Sequence, residues 1–295
     1  MSLLDLTDLA MPYDSIAIIG TAKNAGKTTT LNYMINGLNR KGITLGLTSV
    51  GRDGENIDIV THTPKPEIFV IKGTVLATAE RLLSYCDITK QVLHIANIST
   101  PFGRVVVVRA MSSGYVQLGG PSITKQIGEI IPIMEREGAQ KSLIDGALNR
   151  ITPADPKIAQ AAVLCVGATG ANLQKVVEHT QFLVKILSLP QVETLQKNDI
   201  FFAGAVSDHV LKKIVLSGEK LNDRRIIAED SGKFFIQPQT FEKLVAKGAT
   251  LAVKQATNLL CVTINPTSPY GSGFNPKEFL QKMQEAVNVP VFDVI

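Results

Sequence analysis

The chain has no tryptophan, and aromatic residues of all kinds make up only 5% of it. Cysteine is scarce as well. Cys86, Cys165 and Cys261 are far apart and odd in number, which is not the pattern of a disulfide framework. Each lies among apolar neighbours, so a small buried side chain is favoured over a ligand or nucleophile. That usage suits a reducing cytoplasm. No stretch approaches the run of about 18 apolar residues that a membrane-spanning helix needs. The opening residues Met1–Leu9 carry acids and lack a basic start, so no signal peptide is read there. Blocks of Lys and Arg are missing, as is any interleaving of basic and aromatic residues, which argues against a nucleic-acid partner. The four histidines, His62, His94, His179 and His209, show no metal-ligand spacing, and no zinc site is expected.

What is present is ordinary for a globular protein. Of 295 residues, 45% are hydrophobic and 19% charged, and the net charge is only +4 from 30 basic and 26 acidic side chains. Such a chain can bury one large α/β core or two smaller ones. Its strongest local signal is Ile16 to Leu31. A short apolar run, Ile16 to Ile19, reads as a buried strand. Gly20-Thr21-Ala22-Lys23-Asn24-Ala25-Gly26-Lys27-Thr28 follows, and a helix with Leu31, Met34, Ile35 and Leu38 on one face runs to Lys41. Gly42 then serves as its C-cap glycine.

Strand, glycine-rich loop, Gly-Lys-Thr and helix together make a phosphate cradle. The amides of the first helical turn have no intrahelical acceptor, and the helix dipole favours negative charge at that end. Thr21, Lys23, Asn24, Ala25, Gly26, Lys27, Thr28 and Thr29 are therefore the candidate nucleotide contacts. Lys27 is placed to reach the β- and γ-phosphates, and the Thr28 hydroxyl to ligate Mg²⁺, which keeps most of its waters. Lys23 either reaches the same nucleotide or faces solvent.

Further along, Ile43 to Val50 reads as a strand that ends in Gly51-Arg52-Asp53-Gly54-Glu55-Asn56. In a parallel sheet this loop shares an edge with the first. Asp53 is then a candidate metal ligand and switch-loop acid, with a solvated turn as the alternative. Leu143-Ile144 reads as a short apolar strand that ends on Asp145-Gly146. An acid at such a strand end helps hold Mg²⁺ in P-loop NTPases, and Asp145 is read so, with a simple turn Asp as the alternative. Arg150 is assigned to a surface carboxylate rather than to a phosphate. Gly119-Gly120-Pro121-Ser122 is read as a tight turn before a helix, with an anion nest as the alternative. Pro132 should kink or divide that helix. Thr74 to Tyr85 reads as helix, and Ser112-Ser113-Gly114 as the turn of a hairpin joining Arg104–Met111 to Tyr115–Leu118. Asn265 ends the apolar strand Leu259 to Ile264, where its amide could read a base edge; Asn-Pro turn chemistry is the alternative.

The fold expected is α/β, a mostly parallel central sheet flanked by helices, with a second α/β part at the C-terminus. The nucleotide-binding part is placed at 1–190 and the second at 198–295, whether separate or continuous with the first.

The spacing Gly20, five residues, then Gly26-Lys27-Thr28 resembles dethiobiotin synthetase and its relatives in the SIMIBI class of P-loop NTPases. That resemblance implies an ATP site on the loop and Mg²⁺ at Thr28 with an acidic partner, to which Asp53 and Asp145 correspond by position. It does not carry the substrate: the family has a lysine after the second strand where this chain has Gly51-Arg52-Asp53-Gly54. The lysine that dimeric SIMIBI ATPases place five residues before the P-loop lysine is here Ala22. Over most of the chain, the order of Gly-Thr-Ala-Lys-Asn-Ala-Gly-Lys-Thr, Val-Gly-Arg-Asp-Gly-Glu, Ile-Asp-Gly-Ala-Leu-Asn-Arg, Val-Gly-Ala-Thr-Gly and Asn-Pro-Thr-Ser-Pro is similar to accessory reactivase subunits of the adenosylcobalamin-dependent lysine 5,6-aminomutase.

These readings imply a cytoplasmic, Mg²⁺-dependent protein that binds ATP or another NTP. It would act as an accessory ATPase on a partner aminomutase, with Lys27, Asp53 and Asp145 carrying the chemistry. A small-molecule ligase or kinase and a nucleotide-dependent regulator are the alternatives, and a homodimer stays open. Neither nucleic acid nor membrane is expected as a partner.

Overall fold

The computed structural model describes residues 5–51, 67–146, 155–169, 172–217, 221–222, 224–268, 271 and 273–295. In chain order the elements begin α1 (Leu6–Ala10), β1 (Ser15–Gly20), α2 (Lys27–Arg40), β2 (Leu45–Ser49), β3 (Ile68–Val70) and β4 (Val75–Ala79). A 3-10 turn, Glu80–Tyr85, leads to β5 (Lys90–Thr100), β6 (Gly103–Ala110), β7 (Gly114–Val116), α3 (Thr124–Arg136) and β8 (Lys141–Asp145). Next come β9 (Ala161–Gly167), α4 (Leu173–Leu187), β10 (Ile200–Phe202), β11 (Val206–Ser207), α5 (Asp208–Leu216), β12 (Arg225–Asp230) and β13 (Phe234–Phe235). The chain closes with α6 (Pro238–Ala246), β14 (Thr250–Gln255), β15 (Asn258–Asn265), α7 (Pro276–Ala286) and β16 (Val291–Asp293).

A nine-stranded sheet in the order β16-β15-β9-β1-β8-β2-β4-β6-β5 is the centre of the molecule. It is parallel from β16 to β4, and β6 runs antiparallel to both of its neighbours, β4 and β5. Strand β1 lies between β8 and β9, and all six of its residues are buried. Its side chains alternate between two cores, as the period of two requires. Ala17 and Ile19 join one core with α3, α4 and α7, while Ile16 and Ile18 join another with α1, α2 and the β3–β7 ribbon. On α2, Leu31, Met34, Ile35 and Leu38 are the buried apolar residues, each contributing roughly 1.5–3 kcal/mol. Gly42 at φ 75° ends that helix, and the Ile43 amide donates to the Leu38 carbonyl. This is the bond that a left-handed residue after a helix allows. Among the described residues, no helix is long and apolar enough to cross a membrane.

Three local expectations change. Thr74 to Tyr85 is a strand and a 3-10 turn rather than a helix, because Val75–Ala79 is wedged between β2 and β6 with all five residues buried. The expected hairpin is absent: β7 turns away from β6 and pairs antiparallel with β3, and β6 forms its hairpin with β5. Pro132 does not divide α3, which runs from Thr124 to Arg136. Pro132 itself is exposed, and on that side water can take the carbonyl that its missing N–H leaves free.

The last third alternates strands and helices as expected, with a different boundary. A three-stranded parallel sheet, β10-β12-β14, and the β11–β13 ribbon carry α5 and α6 around a core of their own. After Gln255 the chain returns: β15 pairs with β9 and with β16 inside the large sheet, and α7 packs on α4. The smaller unit therefore interrupts the larger sheet instead of following it. Ile186 and Leu189 at the end of α4 enter its core, and Phe182 meets Phe241 edge-on at 5.9 Å.

Asp208 binds α5 to α6 in this unit. Its carboxylate pairs with Lys212 at 2.7 Å and accepts from the Gln237 amide at 2.9 Å. The Lys212 bond, with the Thr240 and Gln237 bonds, holds its pKa down to about 2. A carboxyl depressed in the folded state stabilises the fold above its unfolded value of 3.8 and loses that contribution as pH falls through about 2. Asp208→Asn is expected to lower the urea midpoint at pH 6, with the gap to wild type closing toward pH 2. A gap that did not change with pH would remove the carboxylate from this role.

Candidate functional site

The site grows from the carboxyl ends of β1, β8, β9 and β15, where ligands of parallel sheets collect. Strand β1 ends at Gly20, and the loop that follows is fastened to its neighbour by the Thr21 amide, which donates to the Cys165 carbonyl at 3.0 Å. Asn24 then takes φ 61° and Gly26 φ 90°, and α2 begins at Lys27. The Thr30 amide donates to the Gly26 carbonyl. The amides of Lys27, Thr28 and Thr29 lie ahead of that first helical bond and face the loop.

The loop is held from two sides. A Cβ added at Gly167, the last residue of β9, would lie 2.7 Å from the Ala25 Cα and 2.8 Å from the Asn24 carbonyl oxygen. One added at Gly26 would lie 2.8 Å from the Asn265 Cβ. Asn265 therefore packs directly on the loop. Its Oδ1 accepts from the Thr267 amide at 2.9 Å and the Thr267 hydroxyl at 2.5 Å. Both readings of Asn265 keep their physical basis: the oxygen makes the Asn-Pro-Thr turn, while the amide nitrogen stays a donor beside Gly26.

The Lys27 side chain runs back over Gly20. A Cβ there would stand 3.0 Å from the Lys27 Cγ and 3.3 Å from its Nζ. This gives a physical reason for glycine one residue earlier than the common spacing. Lys27 and Thr28 are each 7% exposed. Asp145, 2% exposed, ends β8 directly beside β1, in register with Ile18 and with Ser49 of β2. The Gly146 amide donates to the Ile18 carbonyl, and the Val50 amide to the Asp145 carbonyl. The Asn24 Nδ2 is buried without a hydrogen-bond partner among the described residues. A buried donor left so costs about 1–3 kcal/mol unless something accepts from it.

Beneath the loop lies a small polar chain. The Thr30 and Thr263 hydroxyls are 2.8 Å apart, and the Cys165 thiol approaches Thr30 at 3.4 Å. Burial pushes the Cys165 thiol up; bonds to Thr263 and Thr30 and the Lys27 charge oppose this, and the Asp145 charge adds to it. Burial likewise raises Cys86 and Cys261, so at all three buried cysteines it disfavours the thiolate.

The candidates fare unequally. The structure brings Thr21, Asn24, Ala25, Gly26, Lys27, Thr28, Asp145 and Asn265 to one sheet edge, with Lys23 and Thr29 half-buried in the same loop and turn. Asp53 falls outside the described residues, as do Arg52, Glu55 and Arg150. Gly119 and Gly120 form no anion nest: their amides donate to the Thr78 hydroxyl and the Gly51 carbonyl. Gly120 thus holds the chain just after β2, and Gly119 the end of β4. In the sequence, Gly167-Ala168-Thr169-Gly170 reads as a small-residue turn at a binding edge; the structure adds that Gly167 packs on the loop after β1. Nothing in the sequence marks the Thr30–Thr263 pair, whose members are far apart along the chain.

Thr28 and Asp145 offer hydroxyl and carboxylate oxygens on adjacent elements. That donor set suits Mg²⁺, which uses few protein ligands. Among the described residues no group of three His, Cys, Asp or Glu side chains forms a metal cluster. Comparisons with protein-family models, with curated proteins and with solved structures found no match.

Gly26 and Gly42 share a left-handed backbone, but only Gly26 has a neighbour in the way. Gly42→Ala should cost about 1 kcal/mol for the backbone alone. Gly26→Ala should cost about 1–3 kcal/mol more through its contact with Asn265. Equal denaturant midpoints for the two variants would dissolve that contact.

Proposed function

We propose that this is a Mg²⁺-dependent P-loop protein that binds ATP or a related NTP and hydrolyses it as an accessory ATPase. The observation that carries the reading is the Lys27 arrangement: a buried lysine laid over Gly20 at the mouth of α2, beside an acid that ends the neighbouring strand. Three features support it. The first-turn amides of α2 supply donors for phosphate oxygens. The buried Asn24 Nδ2 needs an acceptor that a phosphate would provide. Asn265 stands against Gly26, where its amide nitrogen can donate to a ligand.

In this reading Lys27 neutralises phosphate charge, and Thr28 and Asp145 orient the metal. Bound Mg²⁺ would offset charge on the β- and γ-phosphates. Phosphoryl transfer depends mainly on such positioning and charge stabilisation. Asp53 is proposed to act from the loop after β2. The order of motifs along the chain favours an accessory role on an adenosylcobalamin-dependent aminomutase, where turnover would drive exchange of damaged cofactor. A ligase or kinase of the dethiobiotin synthetase-like type is the second reading, favoured by the opening of the loop after β2 beside Asp145.

Lys27→Ala is expected to weaken ATP binding roughly 100-fold, about 2.7 kcal/mol, with an unchanged circular dichroism spectrum. Calorimetry showing wild-type affinity would sink the nucleotide reading. For Asp145→Asn the expected outcome is loss of the Mg²⁺ dependence of binding, and a wild-type metal titration would take Asp145 out of the site. ATPase stimulation by the aminomutase distinguishes the accessory role; turnover that requires an added metabolite instead would establish the ligase or kinase.

A further inference from the structure

Asn265 ends β15 against the loop, and its hydrogen bonds leave it a single polarity. Its Oδ1 accepts from the Thr267 amide at 2.9 Å and from the Thr267 hydroxyl at 2.5 Å. Those two donors occupy both lone pairs of the oxygen. The side-chain amide cannot be turned over, because a backbone N–H only donates and the flip would set Nδ2 against it. The main chain is tied as well. The Ala168 amide donates to the Asn265 carbonyl at 3.0 Å, and the Phe274 amide to the Pro266 carbonyl at 2.9 Å. What the Asn265 side chain has left for a ligand is the pair of N–H bonds on Nδ2, which lies 3.3 Å from where a Gly26 Cβ would stand.

This donor lies on the far side of β1 from the acid. Asp145 closes β8, next to β1 on one side, and Asn265 closes β15, two strands from β1 on the other. With phosphates at Lys27 and the first turn of α2, and metal at Thr28 and Asp145, the nucleoside end of a bound NTP extends toward Asn265.

Resting on the nucleotide reading above, we propose that Asn265 selects a 6-oxopurine nucleotide, GTP or ITP, over ATP. An asparagine with both halves of its amide open reads adenine by accepting from N6 and donating to N7 at once. Here the accepting half is occupied within the turn. The adenine N6 amine would meet Nδ2 donor against donor, which leaves N7 as the one partner. On the same edge guanine carries two acceptors, O6 and N7, and hypoxanthine shares both.

Calorimetric titration of the wild-type chain with GTP, ITP and ATP, each with Mg²⁺, tests this. GTP and ITP are expected to bind about tenfold more tightly than ATP. Asn265→Asp puts an acceptor of the same shape in place of the donor and keeps Oδ1 for Thr267. It should reverse the order, ATP above ITP, whatever its effect on affinity as a whole. Equal wild-type affinities for ATP and ITP, or an unaltered order in the variant, would overturn the assignment and leave the nucleotide reading standing. Binding of none of the three would remove both. If Asn265→Asp does not fold, Thr267→Val decides. It returns one lone pair to Oδ1 and should narrow the gap between ITP and ATP, and an unchanged gap refutes the role of Asn265.

Discussion

The close approach of three backbone segments holds the rest of the candidate site in place. The loop after β1 passes between the end of β9 and the end of β15, with no space for a side chain at Gly167 or Gly26. Packing at that density transmits position: the loop cannot shift without displacing Asn265 or the Gly167 backbone. The Thr21 bond to Cys165 and the Thr30–Thr263 contact pin the two ends of the same segment. The left-handed turn at Gly26 then aims the first turn of α2 at the sheet edge, and the Lys27 side chain has one course left, back over Gly20.

The electrostatics follow from that geometry. A lysine and an aspartate, both almost fully buried, sit at the ends of neighbouring elements, and their opposed effects on the Cys165 thiol place each near it. Buried charges are expensive without compensation, which is why this pair is the starting point of the proposed site. The inserted unit of β10 to β14 keeps its own core and its own acid, Asp208, at a helix junction. It is attached through the end of α4 and through β14.

Much of the site was legible locally. The strand, loop and helix from Ser15 to Arg40 lie within a residue or so of where apolar period and glycine placement put them, because each is decided by neighbours in sequence. Asp145 was readable as an acid closing an apolar run. Less legible were the fate of Val75–Ala79, whose helix-compatible pattern yields to burial between two strands, and the partner of β7. The same holds for the glycines at 119 and 120, whose amides are consumed by Thr78 and Gly51, residues distant in sequence.

The sequence by itself determined an α/β chain, a glycine-rich loop between a buried strand and an amphipathic helix, and the candidates for phosphate and metal contacts. Tertiary structure alone decided that β8 adjoins β1, which sets Asp145 beside Ile18, and that β15 returns from beyond an inserted unit to press Asn265 on Gly26. The physical reason is the range of the forces involved. Periodicity, caps and turn chemistry act over a few residues, whereas strand order depends on which apolar faces bury each other most completely once the whole chain has collapsed.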